Sequence, residues 1–216
     1  KPFNDWWRSC CELLAPRQIS ISRVQYECNC NDIVNADSEE YIDIINSGPM
    51  IVDLSGWRLK GGINGQDVRF PDDTLIKPDT RIRIHTHKKG AFSFNSRRAV
   101  WDHQGDQALL FNRQGMVISS WLYGDKAHAE VVIAEVEFAD EGKLDDHVVI
   151  NNIGNSWIDI ANWQLSTGKD QCYIFPFGTV LAPNQNLRVN LNELDHDSQG
   201  YDYKNIKYSL VKFDTY

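Results

Sequence analysis

Leu54-Ser55-Gly56-Trp57-Arg58-Leu59 returns further along the chain as Ile160-Ala161-Asn162-Trp163-Gln164-Leu165, with Trp57 falling on Trp163 at an offset of 106 residues (163 − 57). The flanks repeat with it. Ile45-Asn46-Ser47-Gly48 lies over Asn151-Asn152-Ile153-Gly154. After a one-residue slip, Phe70-Pro71-Asp72-Asp73-Thr74-Leu75 meets Phe175-Pro176-Phe177-Gly178-Thr179-Val180, Pro78 meets Pro183, and Arg81-Ile82-Arg83-Ile84 meets Asn186-Leu187-Arg188-Val189. Upstream, Ile21-Ser22-Arg23-Val24-Gln25-Tyr26 resembles Ile133-Ala134-Glu135-Val136-Glu137-Phe138, with a longer acidic loop following this segment in the first copy. A period near 106 residues is too long for a solenoid unit and fits a whole β-sandwich module.

The residues between these landmarks read as strands. Tyr41-Ile42-Asp43-Ile44-Ile45, Val148-Val149-Ile150, Ala108-Leu109-Leu110-Phe111 and Met116-Val117-Ile118-Ser119 are short apolar runs bounded by turn residues. Asn112-Arg113-Gln114-Gly115 predicts a hairpin turn in which Gly115 supplies the positive φ. Only Phe3 to Leu14 predicts a short helix, capped by Asn4 or Asp5 and stopped at Pro16. Its apolar residues (Phe3, Trp6, Trp7, Cys10, Leu13, Leu14) recur three and four apart, a face that must dock on the first module or on a partner. The expectation is an all-β chain: residues 1–19 a helical or linker segment, 20–126 a first β-sandwich and 127–216 a second.

Composition agrees with strands. Seven Trp, eight Tyr and nine Phe stand against two Met, a bias toward sheet-forming side chains. No apolar run approaches the ~20 residues that span a bilayer as a helix. The chain begins at Lys1 without a signal-like apolar core, so it reads as a processed product or an excised portion of something larger, and its targeting is not legible. Five cysteines, Cys10, Cys11, Cys28, Cys30 and Cys172, are an odd number, so no closed framework uses them all. They read as reduced or semi-buried thiols, the alternative being pairing between the first two and Cys28–Cys30.

These residues also carry a family likeness. Glu40 to Asn46, Asp53 to Leu59, Phe70-Pro71 through Leu75 and Pro78, then Trp101, Gly105-Asp106-Gln107-Ala108-Leu109-Leu110, Gly115 and the strand to Tyr123 together resemble the lamin tail domain across nearly the whole first module. The second module resembles it through the first three signals. It departs at Ala161-Asn162, where Ser55-Gly56 stand in the first, and has no counterpart of Gly105-Asp106 and the closing hairpin, so that copy is expected to be incomplete or diverged. The resemblance implies two tandem immunoglobulin-like β-sandwiches, no catalytic residues and no cofactor. Such modules occur in nuclear lamins and in exported bacterial and archaeal proteins, where they mediate attachment. This favours an extracellular, periplasmic or surface-associated setting, though fold alone does not name a ligand.

Several constellations compete for a function. Trp57 and Trp163, with Phe70 and Phe175, read as core anchors rather than sugar-stacking platforms. No Gly-x-Ser-x-Gly, Walker loop or His-Glu-x-x-His occurs, which argues against an enzyme. His85-x-His87 and Cys28-x-Cys30 would make a zinc site if their strands were neighbours, but the Cys pair has a tighter spacing than common zinc knuckles and outward-facing polar alternation explains the histidines equally well. Asp195-His196-Asp197-Ser198-Gln199-Gly200 resembles the start of a calcium loop, with Asp195, Asp197 and Gln199 as oxygen ligands. It departs at Gln199 and at Ile206 in the twelfth position, so a solvated acidic loop is the preferred reading and calcium the alternative.

The basic strand is the most informative of these. The formal net charge is −8, yet residues 81 to 98 hold six Lys/Arg and no Asp/Glu, leaving 16 basic against 30 acidic residues elsewhere. Arg81, Arg83, His85 and His87 alternate with Ile82, Ile84 and Thr86 and share one face of a strand. Lys88, Lys89, Arg97 and Arg98 continue the charge around Phe92 and Phe94. A solvated strand face balanced by carboxylates is the preferred explanation of the pattern, with a binding stripe as the other. The reading that follows is a non-catalytic interaction or assembly module whose partner is a protein or larger assembly. A nucleic-acid-binding accessory module using residues 81–98 and a carbohydrate-binding module are the alternatives.

Overall fold

The computed structural model describes residues 18–26, 40–61, 65–137, 146–166, 172–190 and 209–211. The chain divides into two compact units, Lys1–Leu122 and Tyr123–Tyr216. The helix expected over Phe3 to Leu14 lies outside the described residues.

In the first unit β1 (Ile19–Gln25), β2 (Tyr41–Asn46) and β7 (Arg81–His85) form one antiparallel sheet in the order β1-β2-β7. A second sheet joins β5 (Gln66–Arg69), β4 (Arg58–Gly61), β8 (Gln107–Phe111) and β9 (Val117–Leu122) in that order. A small ladder pairs β3 (Val52–Asp53) with β6 (Leu75–Ile76). Strand alternation builds the core between the sheets. Ile19, Ile21 and Val24 of β1, Ile42 and Ile44 of β2 and Ile84 of β7 are buried, as are Leu59, Val68, Ala108, Leu110 and Trp121 of the second sheet. A bulge between Ile21 and Arg23 breaks the β1–β2 register, and the Ile21 amide donates to Ser119 Oγ of β9 at 3.0 Å. Gly61 is required because the Trp101 ring occupies the space of its missing Cβ. The turn at residues 112–115 forms as the sequence predicts: Gly115 has φ 82, and Asn112 Oδ1 accepts from the amides of Gln114 and Met116.

The second unit opens with a four-residue helix, α1 (Asp125–His128), that the sequence pattern does not announce. Then β10 (Val131–Glu137), β11 (His147–Asn152) and β16 (Asn186–Asn190) form a sheet in the order β10-β11-β16, the counterpart of β1-β2-β7. The pair β12 (Trp157–Asp159) and β15 (Val180–Leu181) repeats β3 and β6. Next, β13 (Gln164–Ser166) pairs β14 (Cys172–Ile174) as β4 pairs β5. Cys172 thus opens a strand, while Cys10, Cys11, Cys28 and Cys30 lie outside the described residues.

At the closing strand, the expectation that the second copy is incomplete or diverged resolves to divergence. The second copy does possess a counterpart of β8: β17 (Ser209–Val211) pairs with β13 through Gln164↔Val211, Leu165↔Leu210 and Ser166↔Ser209. The first copy pairs Arg58↔Phe111, Leu59↔Leu110 and Lys60↔Leu109 in the same sense. The strand lacks the Gly-Asp lead-in of the first copy, so it carries no sequence flag.

The repeat extends to individual hydrogen bonds. Trp57 N donates to Leu54 O at 3.0 Å and Trp163 N to Ile160 O at 3.1 Å. Phe70 N reaches Trp57 O, and Phe175 N reaches Trp163 O, both at 2.9 Å. Even the bulge recurs, between Ile133 and Glu135. Gly56 and Asn162, which differ in sequence, share the left-handed conformation at φ 73 and φ 63. Asn is the side chain that best tolerates that region after Gly, so the apparent departure is a conformational match.

Candidate interaction site

The basic strand is β7, on the sheet edge next to β2. Its period of two sends Ile84 into the core and leaves Arg81 and Arg83 exposed, with His85 half-buried on the same face. The cross-strand neighbour of Arg83 is Asp43, which has no exposed surface. Arg83 Nε and Nη2 donate to Asp43 Oδ1 and Oδ2, each at 2.8 Å, a bidentate fork that holds the guanidinium above its ordinary pKa. Its Cζ sits 3.5 Å from the centroid of the Tyr41 ring, and Arg23 approaches the same ring at 5.6 Å. Arg83 is therefore committed inside the protein. His85 is held below the usual imidazole pKa, first by burial and then by the charges of Lys88 and Arg83. It is neutral near pH 7 and adds no cation to the stripe. Asp43 gave its own signal in the sequence, a lone carboxylate in the apolar run Tyr41 to Ile45, but its pairing with Arg83 spans 40 residues.

Beyond β7 the chain makes a stapled loop. The His85 amide donates to Phe92 O at 3.0 Å, Phe94 N to His85 O at 2.9 Å, and Ser96 N to Thr86 O at 2.9 Å. His87 Nδ1 lies 2.7 Å from Ser96 O, and Asn95, at φ 49, bonds Gly90 through both side-chain atoms at 3.3 Å. Phe92 packs against Phe70, and Phe94 meets Trp101 edge-on with centroids 5.7 Å apart. The two phenylalanines that interleave with the charges are thus anchors, not stacking surfaces. What the loop presents is Lys88, Lys89, Arg97 and Arg98, all exposed, and among the described residues none of the four forms an ion pair.

Asp195, Asp197 and Gln199 lie outside the described residues, as do Cys28 and Cys30. The zinc reading that joins Cys28 and Cys30 to His85 and His87 therefore falls outside the described residues. Trp57 is 1% and Trp163 3% exposed, with Phe70 and Phe175 equally buried. His128 of α1 stacks on Trp163 at 5.4 Å. Neither tryptophan offers a face to a sugar. Among the described residues no helix is long and apolar enough to cross a membrane.

A family model for the Lamin Tail Domain matches the chain twice, over residues 14–125 and 124–211. No match to a curated protein is found. The two matches cover both compact units and span the strand order, the Trp-centred turn and the Phe-Pro strand end that the units share. Each unit is an immunoglobulin-like module, and the chain belongs to the lamin tail domain family.

Proposed function

We propose that the chain is a non-catalytic interaction and assembly module, and that its first unit docks an acidic protein surface through Lys88, Lys89, Arg97 and Arg98. The observation that carries this reading is a loop fixed by backbone and side-chain hydrogen bonds that displays four exposed cations without internal counter-charges. Pre-ordering such a loop lowers the entropy lost when a partner binds. The strand beneath it supports the loop rather than the ligand, since Arg83 is clamped by Asp43 and His85 is neutral. Arg81 is the one strand cation left to extend the patch.

An acidic protein fits better than a nucleic acid. A phosphate backbone is held along a track of cations, and the committed Arg83 shortens that track to one loop and one flanking residue. The acidic body, at −8 overall, also repels a duplex that runs on beyond the contact. The test compares the full chain with K88E/K89E/R97E/R98E for binding to a polyglutamate peptide and to duplex DNA at low and moderate salt. Peptide binding should fall with salt and disappear in the variant, while DNA binds no tighter than the roughly 10⁻⁴–10⁻⁶ M of non-specific contact. Peptide binding that survives charge reversal removes the loop from the interface. A tight, sequence-selective DNA complex makes the nucleic-acid reading the right one.

A further inference from the structure

The outer face of β10 and β11 in the second unit differs in chemistry from the matching face of the first. Register makes the comparison exact residue by residue: Glu137 faces His147 and Glu135 faces Val149, where the first unit has Gln25 opposite Tyr41 and Arg23 opposite Asp43. A period of two puts Glu135 and Glu137 on one face, just past the bulge that follows Ile133. One ligand atom from each of Glu135, Glu137 and His147 lies within 4.8 Å of the others, and His147 Nε2 is 3.6 Å from Glu137 Oε2. His147 is 7% exposed, whereas both glutamates are open to solvent.

In the first unit this face carries its own cation: Arg83 lies over Tyr41, the residue that corresponds to His147. The second unit has Arg188 at the Arg83 position, but Val149 has replaced the carboxylate that would hold it. Arg188 Nε donates instead to Asn190 Oδ1 at 3.0 Å, and among the described residues no Lys or Arg pairs with Glu135 or Glu137. Two carboxylates are thus gathered beside an imidazole on a rigid ladder without the guanidinium that the sister unit supplies.

We infer that a zinc ion takes the place of that guanidinium, bound by Glu135, Glu137 and His147. Two carboxylate oxygens and one imidazole nitrogen make a three-ligand set that suits Zn²⁺, with a fourth position left to water or to a group from a partner. Calcium and magnesium, which take oxygen ligands, are poorly served by the imidazole. The charge of the ion matches that of the two carboxylates.

The test uses the reduced full chain and its E135Q/E137Q variant, titrated with zinc chloride by calorimetry, with cobalt(II) spectra on the same samples to report thiolate ligation. The expected result is a one-equivalent event that is lost in E135Q/E137Q and whose cobalt form shows no thiolate charge-transfer band. The single exchange Glu135→Gln weakens that event without touching the Glu137–His147 pair, which separates ligand loss from a folding defect in the double variant. Absence of the event, its persistence in a folded E135Q/E137Q, an unchanged affinity in Glu135→Gln, or a thiolate band accompanying it overturns the inference.

Discussion

Arg83 shows how a single side chain changes the meaning of a charge pattern. The period-two alternation of residues 81 to 87 correctly places Arg81, Arg83 and His85 on one face, because side-chain direction along a strand follows from the backbone alone. The partner of Arg83 was not legible, since a cross-strand pair depends on which strand lies alongside. Breaking the pair should be costly. Arg83→Met leaves the Asp43 carboxylate buried without its fork and is expected to destabilise the first unit by about 2–4 kcal/mol. Lys88→Ala or Arg98→Ala, on the exposed loop, should stay within about 0.5 kcal/mol. Urea unfolding at neutral pH distinguishes the two classes, and equal effects would remove Arg83 from the scaffold. His85 adds a pH signature. Its folded pKa lies below 6.5, so in the window under pH 6.5 the unfolded chain binds more protons, and stability falls as pH falls through it. Above that window the group contributes no slope. His85→Gln should therefore lose less stability than wild type between pH 7.5 and 5.5, as read from urea midpoints. An identical loss would mean that the imidazole is not held neutral.

Strands, turns and plugs are the scale at which the two copies agree best. A buried asparagine closes the same corner in each. Asn46 Nδ2 donates to Met50 O and Ile76 O, while its Oδ1 accepts from Gly48 N. Asn152 repeats this with Ser156 O, Ala182 O and Gly154 N. Both appear in the sequence only as matching letters in a repeat; their role needs the carbonyls that converge from distant turns. Replacing either with Ala orphans buried backbone groups and should cost about 1–3 kcal/mol in its own unit. Denaturation curves of Asn46→Ala and Asn152→Ala that overlay wild type would show that water replaces these bonds at no cost. The Gly56 and Asn162 exchange misled the sequence reading for the opposite reason, since different letters encode one backbone shape. Asn162→Gly should accordingly leave stability nearly unchanged. The closing strand β17 escaped notice because three residues, Ser209-Leu210-Val211, carry too little periodicity to be seen without the partner β13 that sets their register.

For the molecule as a whole, the duplicated Trp-centred turn was sufficient to read the architecture, because a buried indole at a fixed place in a strand order constrains many neighbours at once. Surface chemistry was less legible, since it depends on which charges are paired inside the fold. The result is one scaffold used twice, with a cationic loop on the first unit and a carboxylate–imidazole face on the second. The central claim is that each unit carries its own core and that binding belongs to the loop rather than to the tryptophans. Trp57 and Trp163 test it together. Loss of either buried indole should cost roughly 3–5 kcal/mol, a large fraction of a small domain's stability. The deciding measurement is calorimetric unfolding of wild type, Trp57→Ala and Trp163→Ala, with polyglutamate binding measured on each protein. Trp163→Ala should lose the transition of the second unit and keep peptide binding, while Trp57→Ala should lose the transition of the first unit and peptide binding with it. Loss of peptide binding in Trp163→Ala with the first transition intact, or wild-type melting in both variants, would contradict the account.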